Sequence, residues 1–300
     1  MVTPSAPTEP SGVALLPVSQ PLDLAATLQS GQAFRWRPQG EAWSGFLGSE
    51  PVSLRQVAAG VEVRSADGAR DAMLEALWRY LRLDDDLPAI YRRLRRDPLL
   101  VESVDRHSGL RILRQDPWEC LVAFICSTQS NLPRISRTQE AIADALGSVT
   151  TLDGVVRSAF PTPEAVAGAG EERLRALGLG YRAAFVARTA EAVASGTVDL
   201  EALRSAPYAD ARVRLMALHG VGEKVADCVL LFSMEKLESF PIDRWVRRAV
   251  EERYFGGRTV PYATLASWAM ETFGPAAGYA QQYMFYGRRL ERRGGPPPGP

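Results

Sequence analysis

Lysine is almost missing from this chain of 300 residues: of its 35 lysine and arginine residues, only Lys224 and Lys236 are lysines. Histidine is equally scarce, with His107 and His219 alone, and cysteine occurs only as Cys120, Cys126 and Cys228. Two histidines are too few for a histidine-based metal site. Three cysteines in apolar surroundings, without paired spacing, exclude a disulfide framework and an all-cysteine zinc or iron–sulfur site. No apolar run approaches the roughly 18–20 residues of a membrane span, and MVTPSAPTEPSG at the start lacks a charged segment followed by an apolar one, so a cytosolic chain is expected. Net charge is missing too, because 35 acidic residues balance the basic ones. Any footprint for nucleic acid has to be local.

A hydrophobic content of 46% suffices for two cores. Residues 1–11 and 291–300, rich in Pro, Gly and small polar residues, are expected to be flexible tails. The alternating segments QAFRWRP, EAWSGFLG, PVSLRQV and GVEVRS predict antiparallel strands, which belong to a mixed α/β domain over 12–110. Helical spacing begins at DAMLEALWRYLRL, where Met73, Leu74, Leu77, Trp78 and Leu81 share a face. PWECLVAFICSTQ, RTQEAIADALG, PEAVAGAGEERLRALGL, YRAAFVARTAEAVASG, DRWVRRAVEERYF and YATLASWAMETFG are each long enough for a helix, giving a helical part over 111–290. The fold class is α+β, a small antiparallel sheet followed by a mainly helical core. GLGYRA at 178–183 imitates a dinucleotide fingerprint, but a helical segment precedes it where that fingerprint requires a strand.

LHGVGEKVADCVLLF, residues 218–232, joins a glycine turn to an apolar helix. Gly220 and Gly222 carry no side chain and can take positive φ, so amides around Val221 can approach a phosphate at a helix N-terminus. A plain interhelical turn has the same composition. Lys224, Cys228 and Leu231 form one helical stripe beside the apolar face of Val225, Val229 and Phe232, which puts Lys224 at the rim of a cleft. A lysine amine can act as a nucleophile and form a Schiff base; arginine can do neither. Snorkelling is the alternative. Nineteen residues on, FPIDRWVRRAV places Asp243 immediately before a new helix, as an N-cap. A capping carboxylate is also a rigidly held anion, able to take a proton from Lys224 and to stabilise positive charge on a sugar. Arg244, Arg247 and Arg248 supply a local basic patch.

Together with LRQDPWECLVAFICSTQSNLPRI, LQSGQAFRWR, LGLGYRAAFV and GYAQQYMF, in this order over about residues 12–290, these segments resemble the helix-hairpin-helix DNA glycosylases, and within them the 8-oxoguanine DNA glycosylase/AP lyases. The resemblance implies that Lys224 attacks the sugar C1′ and forms a Schiff base, with Asp243 as its electrostatic and proton-handling partner. It implies that Phe285 and Cys228 sandwich the flipped base, that Gln281 reads its Watson–Crick edge, and that the Gly31 carbonyl accepts the hydrogen on N7 found only on the oxidised base. Gln129 and Tyr181 would fill or wedge the gap in the duplex, Arg134 and Arg182 would contact the orphaned cytosine, and Gly220, Val221, Gly222 and Trp245 would meet the DNA backbone. The implied partner is double-stranded DNA containing 8-oxoguanine; a monomer is expected of a protein that must clamp a bent duplex. No cofactor is implied beyond a monovalent cation on the hairpin's backbone carbonyls. The sequence departs from the eukaryotic pattern at Gln129 and Ser130, where asparagines are usual, and at Trp245, where a histidine is usual. Two rivals remain: a monofunctional glycosylase for alkylated bases, which would need Asp243 without Lys224, and a DNA-binding module without chemistry.

Overall fold

The computed structural model describes residues 13–65 and 70–291. The expected tails, 1–11 and all of 291–300 but Glu291, lie outside these residues. Five antiparallel strands, β1 (Ala14–Pro17), β2 (Arg37–Gln39), β3 (Ala42–Leu47), β4 (Glu50–Val57) and β5 (Gly60–Ser65), form a sheet in the order β1-β5-β4-β3-β2. Alternation sets its faces: Val52 and Leu54 of β4 and Val61 and Val63 of β5 point into one core. The helices Leu24–Gln29 and Arg70–Tyr80 cover that core with Leu24, Leu28 and Leu77.

Three local expectations change, and one further element appears. Only the end of QAFRWRP pairs as a strand, and residues 31–36 form an irregular loop. Trp78 turns outward, at the edge of the face that Leu77 and Leu81 bury. The segment PEAVAGAGEERLRALGL does not run as one helix, because Gly170 takes φ 70° and the chain closes with a π-turn at Arg175–Leu179. A second hairpin, β6 (Val149–Leu152) and β7 (Val155–Ser158), turns on Asp153-Gly154, both at positive φ. That dipeptide is a strong hairpin signal within a segment that lacks clear alternation.

The stretch 109–116 feeds both cores: Leu110 and Ile112 enter the helical one, Leu113 the sheet's. Among the described residues no helix is long and apolar enough to cross a membrane. In the helical core the hairpin helix Glu223–Ser233 packs on Pro117–Cys126, and the rings of Phe124 and Phe232 stack 5.5 Å apart. The buried Asp227 fixes the hairpin helix to its neighbours, accepting from Tyr208 Oη at 2.8 Å, Arg212 Nε at 3.0 Å and Tyr262 Oη at 2.7 Å. Burial pushes this carboxyl above its ordinary range, against the pull of its donors. The C-terminal helix Ala277–Glu291 crosses the end of the helix Leu24–Gln29, where Arg289 donates to the Gln29 carbonyl at 2.7 Å and Gln282 to that of Ser30 at 3.5 Å.

Candidate active site

Lys224 lies in the first turn of the hairpin helix and is half-buried. Its Nζ donates to Ser127 Oγ at 3.0 Å and sits 5.0 Å from the Phe124 ring centroid, over a π face that attracts a cation. One helical turn on, Cys228 is buried, and burial raises its thiol to about 12 against the pull of the Lys224 ammonium. The sulfur is therefore a neutral, polarizable surface.

Asp243 caps the helix Arg244–Tyr254 as its sequence position predicts. Oδ1 accepts from the amides of Trp245 at 2.9 Å and Val246 at 2.7 Å. Oδ2 accepts from no protein group among the described residues, so it can take a further donor. Burial raises this carboxyl above the ordinary aspartate value, while the two amides, Lys224 and Arg244 draw it back. Among the described residues no direct ion pair joins Asp243 and Lys224; they act on one another through their fields. Trp245, two residues after Asp243, stands 40% exposed beneath the Arg244 guanidinium.

A second group surrounds the loop at Gly31. Gln32, fully buried, shapes it by donating to the carbonyls of Thr27 and Arg111 and accepting from the Leu113 amide. Gly31 takes φ 89°, and a Cβ there would lie 3.2 Å from both Leu132 Cδ1 and Phe285 Cε1. Bare backbone at this point lets the Phe285 ring approach the carbonyl-bearing loop. Gln281 shares the Phe285 face of the C-terminal helix, one turn earlier. It is only 5% exposed, yet its Oε1 has no hydrogen-bond partner among the described residues. A buried amide oxygen left unpaired costs about 1–3 kcal/mol unless something binds it, and a base edge with N–H donors would do so.

The third group adjoins the hairpin. Gln129 is exposed and held at φ 48°, a left-handed conformation rare outside glycine and asparagine. Arg182, 5% exposed, braces that turn: Nε donates to the Thr128 carbonyl at 2.9 Å, and Nη2 to the carbonyls of Thr128 and Gln129. Its Nη1 donates to no protein group among the described residues. The neighbouring Tyr181 is 45% exposed, with the Arg182 guanidinium 4.5 Å from its ring centroid. Phe185 joins this wedge to the hairpin, lying 5.8 Å from Tyr181 and 4.9 Å from His219 between ring centroids. Only glycine fits at 220: φ is 84°, and Phe185 leaves no room for a Cβ, which would come 2.3 Å from Cγ. Gly222 departs from expectation, at φ −94° with open space around it. It serves as a bare N-cap with no side-chain bond to the first amides of the hairpin helix, so those donors remain open to a phosphate. Arg134 stands apart, exposed on the first turn of Leu132–Leu146.

Ser127, Phe124, Leu132 and Phe185 are the site residues that sequence reasoning passed over. Ser127 and Leu132 lie inside a recognised segment, yet only three-dimensional contact with Lys224 and Gly31 singles them out.

Residues 15–121 match the family model of the 8-oxoguanine DNA glycosylase N-terminal domain, and residues 122–267 that of the HhH-GPD superfamily base excision DNA repair proteins. A probable N-glycosylase/DNA lyase of Methanothermobacter thermautotrophicus is 31% identical over 290 residues, spanning 88% of this chain and 92% of its own. The N-glycosylase/DNA lyase of Saccharomyces cerevisiae is 34% identical over 267 residues, spanning 78% and 68%. The crystal structure of Clostridium acetobutylicum 8-oxoguanine glycosylase/lyase, in complex with double-stranded DNA containing cytosine opposite 8-oxoguanine, aligns with a TM-score of 0.86 at 31% identity, covering 91% of this chain and 93% of that one. With both family models matched in order along its length and relatives more than 30% identical over most of it, the chain belongs to the 8-oxoguanine DNA glycosylase/DNA lyase family of helix-hairpin-helix base excision repair proteins.

Proposed function

We propose that this chain binds duplex DNA, extrudes 8-oxoguanine opposite cytosine, releases the base and nicks the strand, with Lys224 as the nucleophile. The neutral amine attacks C1′ and the bond to N9 breaks, its electron pair leaving with the base, which takes up a proton. Opening of the sugar ring then yields an imine between Lys224 and C1′. Loss of a C2′ proton expels the 3′ phosphate oxygen in a β-elimination, cutting the strand 3′ to the lesion. Asp243 carries the negative charge that stabilises the cationic sugar, and its Oδ2 accepts the amine's proton.

Base selection rests on the unpartnered Gln281 Oε1 and the Gly31 carbonyl. Normal guanine would set its N7 acceptor against that carbonyl, leaving two buried acceptors face to face. Phe285 and the neutral Cys228 sulfur supply the two faces of the sandwich. Gln129 and Tyr181 occupy the gap left by the base, while Arg134 and Nη1 of Arg182 meet the orphaned cytosine. Phosphates lie against the Gly220–Gly222 hairpin, the open helix N-terminus and Trp245. The carbonyls of His219, Gly220 and Val221 accept no backbone hydrogen bond among the described residues, a set of neutral oxygens that fits a monovalent cation and would add positive charge beneath the phosphate.

The observation that carries this reading is one of the chain's two lysine amines, half-buried and within the field of Asp243. A duplex with 8-oxoguanine opposite cytosine, assayed separately for free base and strand cleavage, tests it. Release of the base together with nicking is expected. Release without nicking identifies a monofunctional glycosylase, and binding without release a module that lacks chemistry.

A further inference from the structure

Ser127 is the C-cap of the helix Pro117–Cys126, and its hydroxyl makes two contacts of opposite sense. Oγ donates to the Phe124 carbonyl at 2.7 Å, a bond one turn back that serines commonly form at helix ends. The same oxygen accepts from Lys224 Nζ at 3.0 Å, across 97 residues of sequence. Capping explains the first bond and says nothing of the second. Because the hydroxyl has a single proton and the Phe124 carbonyl takes it, only lone pairs of Oγ face the amine. Lys224 is therefore the donor in this contact, whatever its charge.

That polarity matters to a nucleophile. A neutral amine that spends one N–H on an acceptor keeps its own lone pair unengaged, and the lone pair points away from the bonded hydrogen. The Phe124 ring beneath Nζ closes another side of the amine, and Phe124 is itself fixed by stacking on Phe232 and by an edge contact with Phe34 at 5.7 Å. The neutral Cys228 thiol and the Asp243 carboxylate also act on the amine electrostatically. We propose that Ser127 is the positioning residue of Lys224: its committed hydroxyl anchors one N–H of the amine and leaves the lone pair turned toward the flipped nucleotide. This rests on Lys224 being the nucleophile.

The anchor also lies on the segment that probes the duplex. Ser127 is followed directly by Thr128 and Gln129, whose carbonyls Arg182 holds and whose second residue stands in the left-handed conformation. The amine and the wedge thus hang on three consecutive residues, so displacement of Gln129 by DNA is felt at the oxygen that orients Lys224. A rigid mount of this kind is what a nucleophile on four rotatable bonds requires, since small misplacements cost large factors in rate.

The test uses the full chain, at saturating concentration, on a duplex with one abasic site opposite cytosine, and follows the borohydride-trapped adduct in time. Duplex affinity is measured separately by fluorescence anisotropy. Ser127→Ala is expected to trap about tenfold more slowly, with affinity within about twofold of wild type, as for loss of one hydrogen bond and some misplacement. Ser127→Thr, which restores the hydroxyl, should trap at close to the wild-type rate. Ser127→Cys, which keeps the shape and weakens both bonds, should fall between and guards against an alanine variant that fails to fold. Wild-type trapping by Ser127→Ala or by Ser127→Cys, equal slowing in Ser127→Thr, or a loss confined to affinity would overturn the proposal. An absent adduct in the wild type would overturn the Lys224 reading itself, and this one with it.

Discussion

At the residue scale, Asp243 separates structure from chemistry. Asparagine caps helices as well as aspartate does, so Asp243→Asn should leave the thermal midpoint almost unchanged while base excision falls by about 10² or more. A matching loss of stability would reduce Asp243 to a cap. Its raised carboxyl gives a pH signature as well: activity that needs the ionised form should decline on the acid side with a midpoint above the ordinary aspartate value of 3.8, and Asp243→Asn should lack that limb. Gln129 makes a different prediction. Its φ of 48° suits asparagine better than glutamine, so Gln129→Asn should stabilise the fold by up to about 1 kcal/mol in urea titrations. Lys224, Asp243 and their order along the chain are legible in the sequence because lysine is so scarce and the cap signal is local. Ser127 is not, because its partner is a tertiary neighbour and a serine at a helix end has an ordinary local reason to be there.

At the element scale, the hairpin is held from both sides. Asp227 ties its helix down and Phe185 seats its turn, leaving the first amides uncapped for a phosphate. Gly220→Ala forces a Cβ into the Phe185 ring and strains a left-handed backbone, which should destabilise the protein by ~2 kcal/mol and weaken duplex binding. Gly222→Ala meets open space and should fold normally. Unchanged duplex affinity in Gly220→Ala would deny the hairpin its role. The sequence could not tell these two glycines apart, since what distinguishes them is the ring of a residue 35 positions earlier, Phe185 against Gly220. The same limit applies to the 31–36 loop, where alternation promised a strand and the packing of Gln32 and Phe34 imposed an irregular path. The hairpin at 149–158 is hidden for another reason: its turn dipeptide is strong, but the residues its strands bury, Arg157 and Ser158, are polar.

At the scale of the whole molecule, the sheet and the helical core are joined by buried charge as well as by apolar contact. Arg157 Nη2 lies 2.6 Å from Glu140 Oε1, donates to the Arg35 carbonyl at 2.7 Å, and is joined on Glu140 by Arg35 and Arg37. Removing one partner of such a cluster strands the others, so Glu140→Leu should cost ~3–5 kcal/mol in chemical unfolding. Nearby, burial pushes Glu119 up to about 7, with Arg35 pulling it back. Since this folded value lies above the unfolded one of 4.5, the native state holds the proton more tightly, and the stability this confers is present below 4.5 and lost as pH rises to about 7. Glu119→Gln should flatten that decline between acid and neutral unfolding titrations. The α+β architecture was readable from the change of hydrophobic period near Ser65. The joint between the parts was not, because arginine and glutamate in a sequence read as surface until their partners are known.

Every step of the proposed reaction depends on a covalent bond between Lys224 and the damaged nucleotide. Borohydride reduction of the protein incubated with a duplex carrying 8-oxoguanine opposite cytosine, followed by peptide mapping of the adduct, tests it most directly. A stable cross-link at Lys224 is expected, absent from Lys224→Gln and Lys224→Arg. A cross-link that persists in either variant, or an active wild type that forms none, would contradict it.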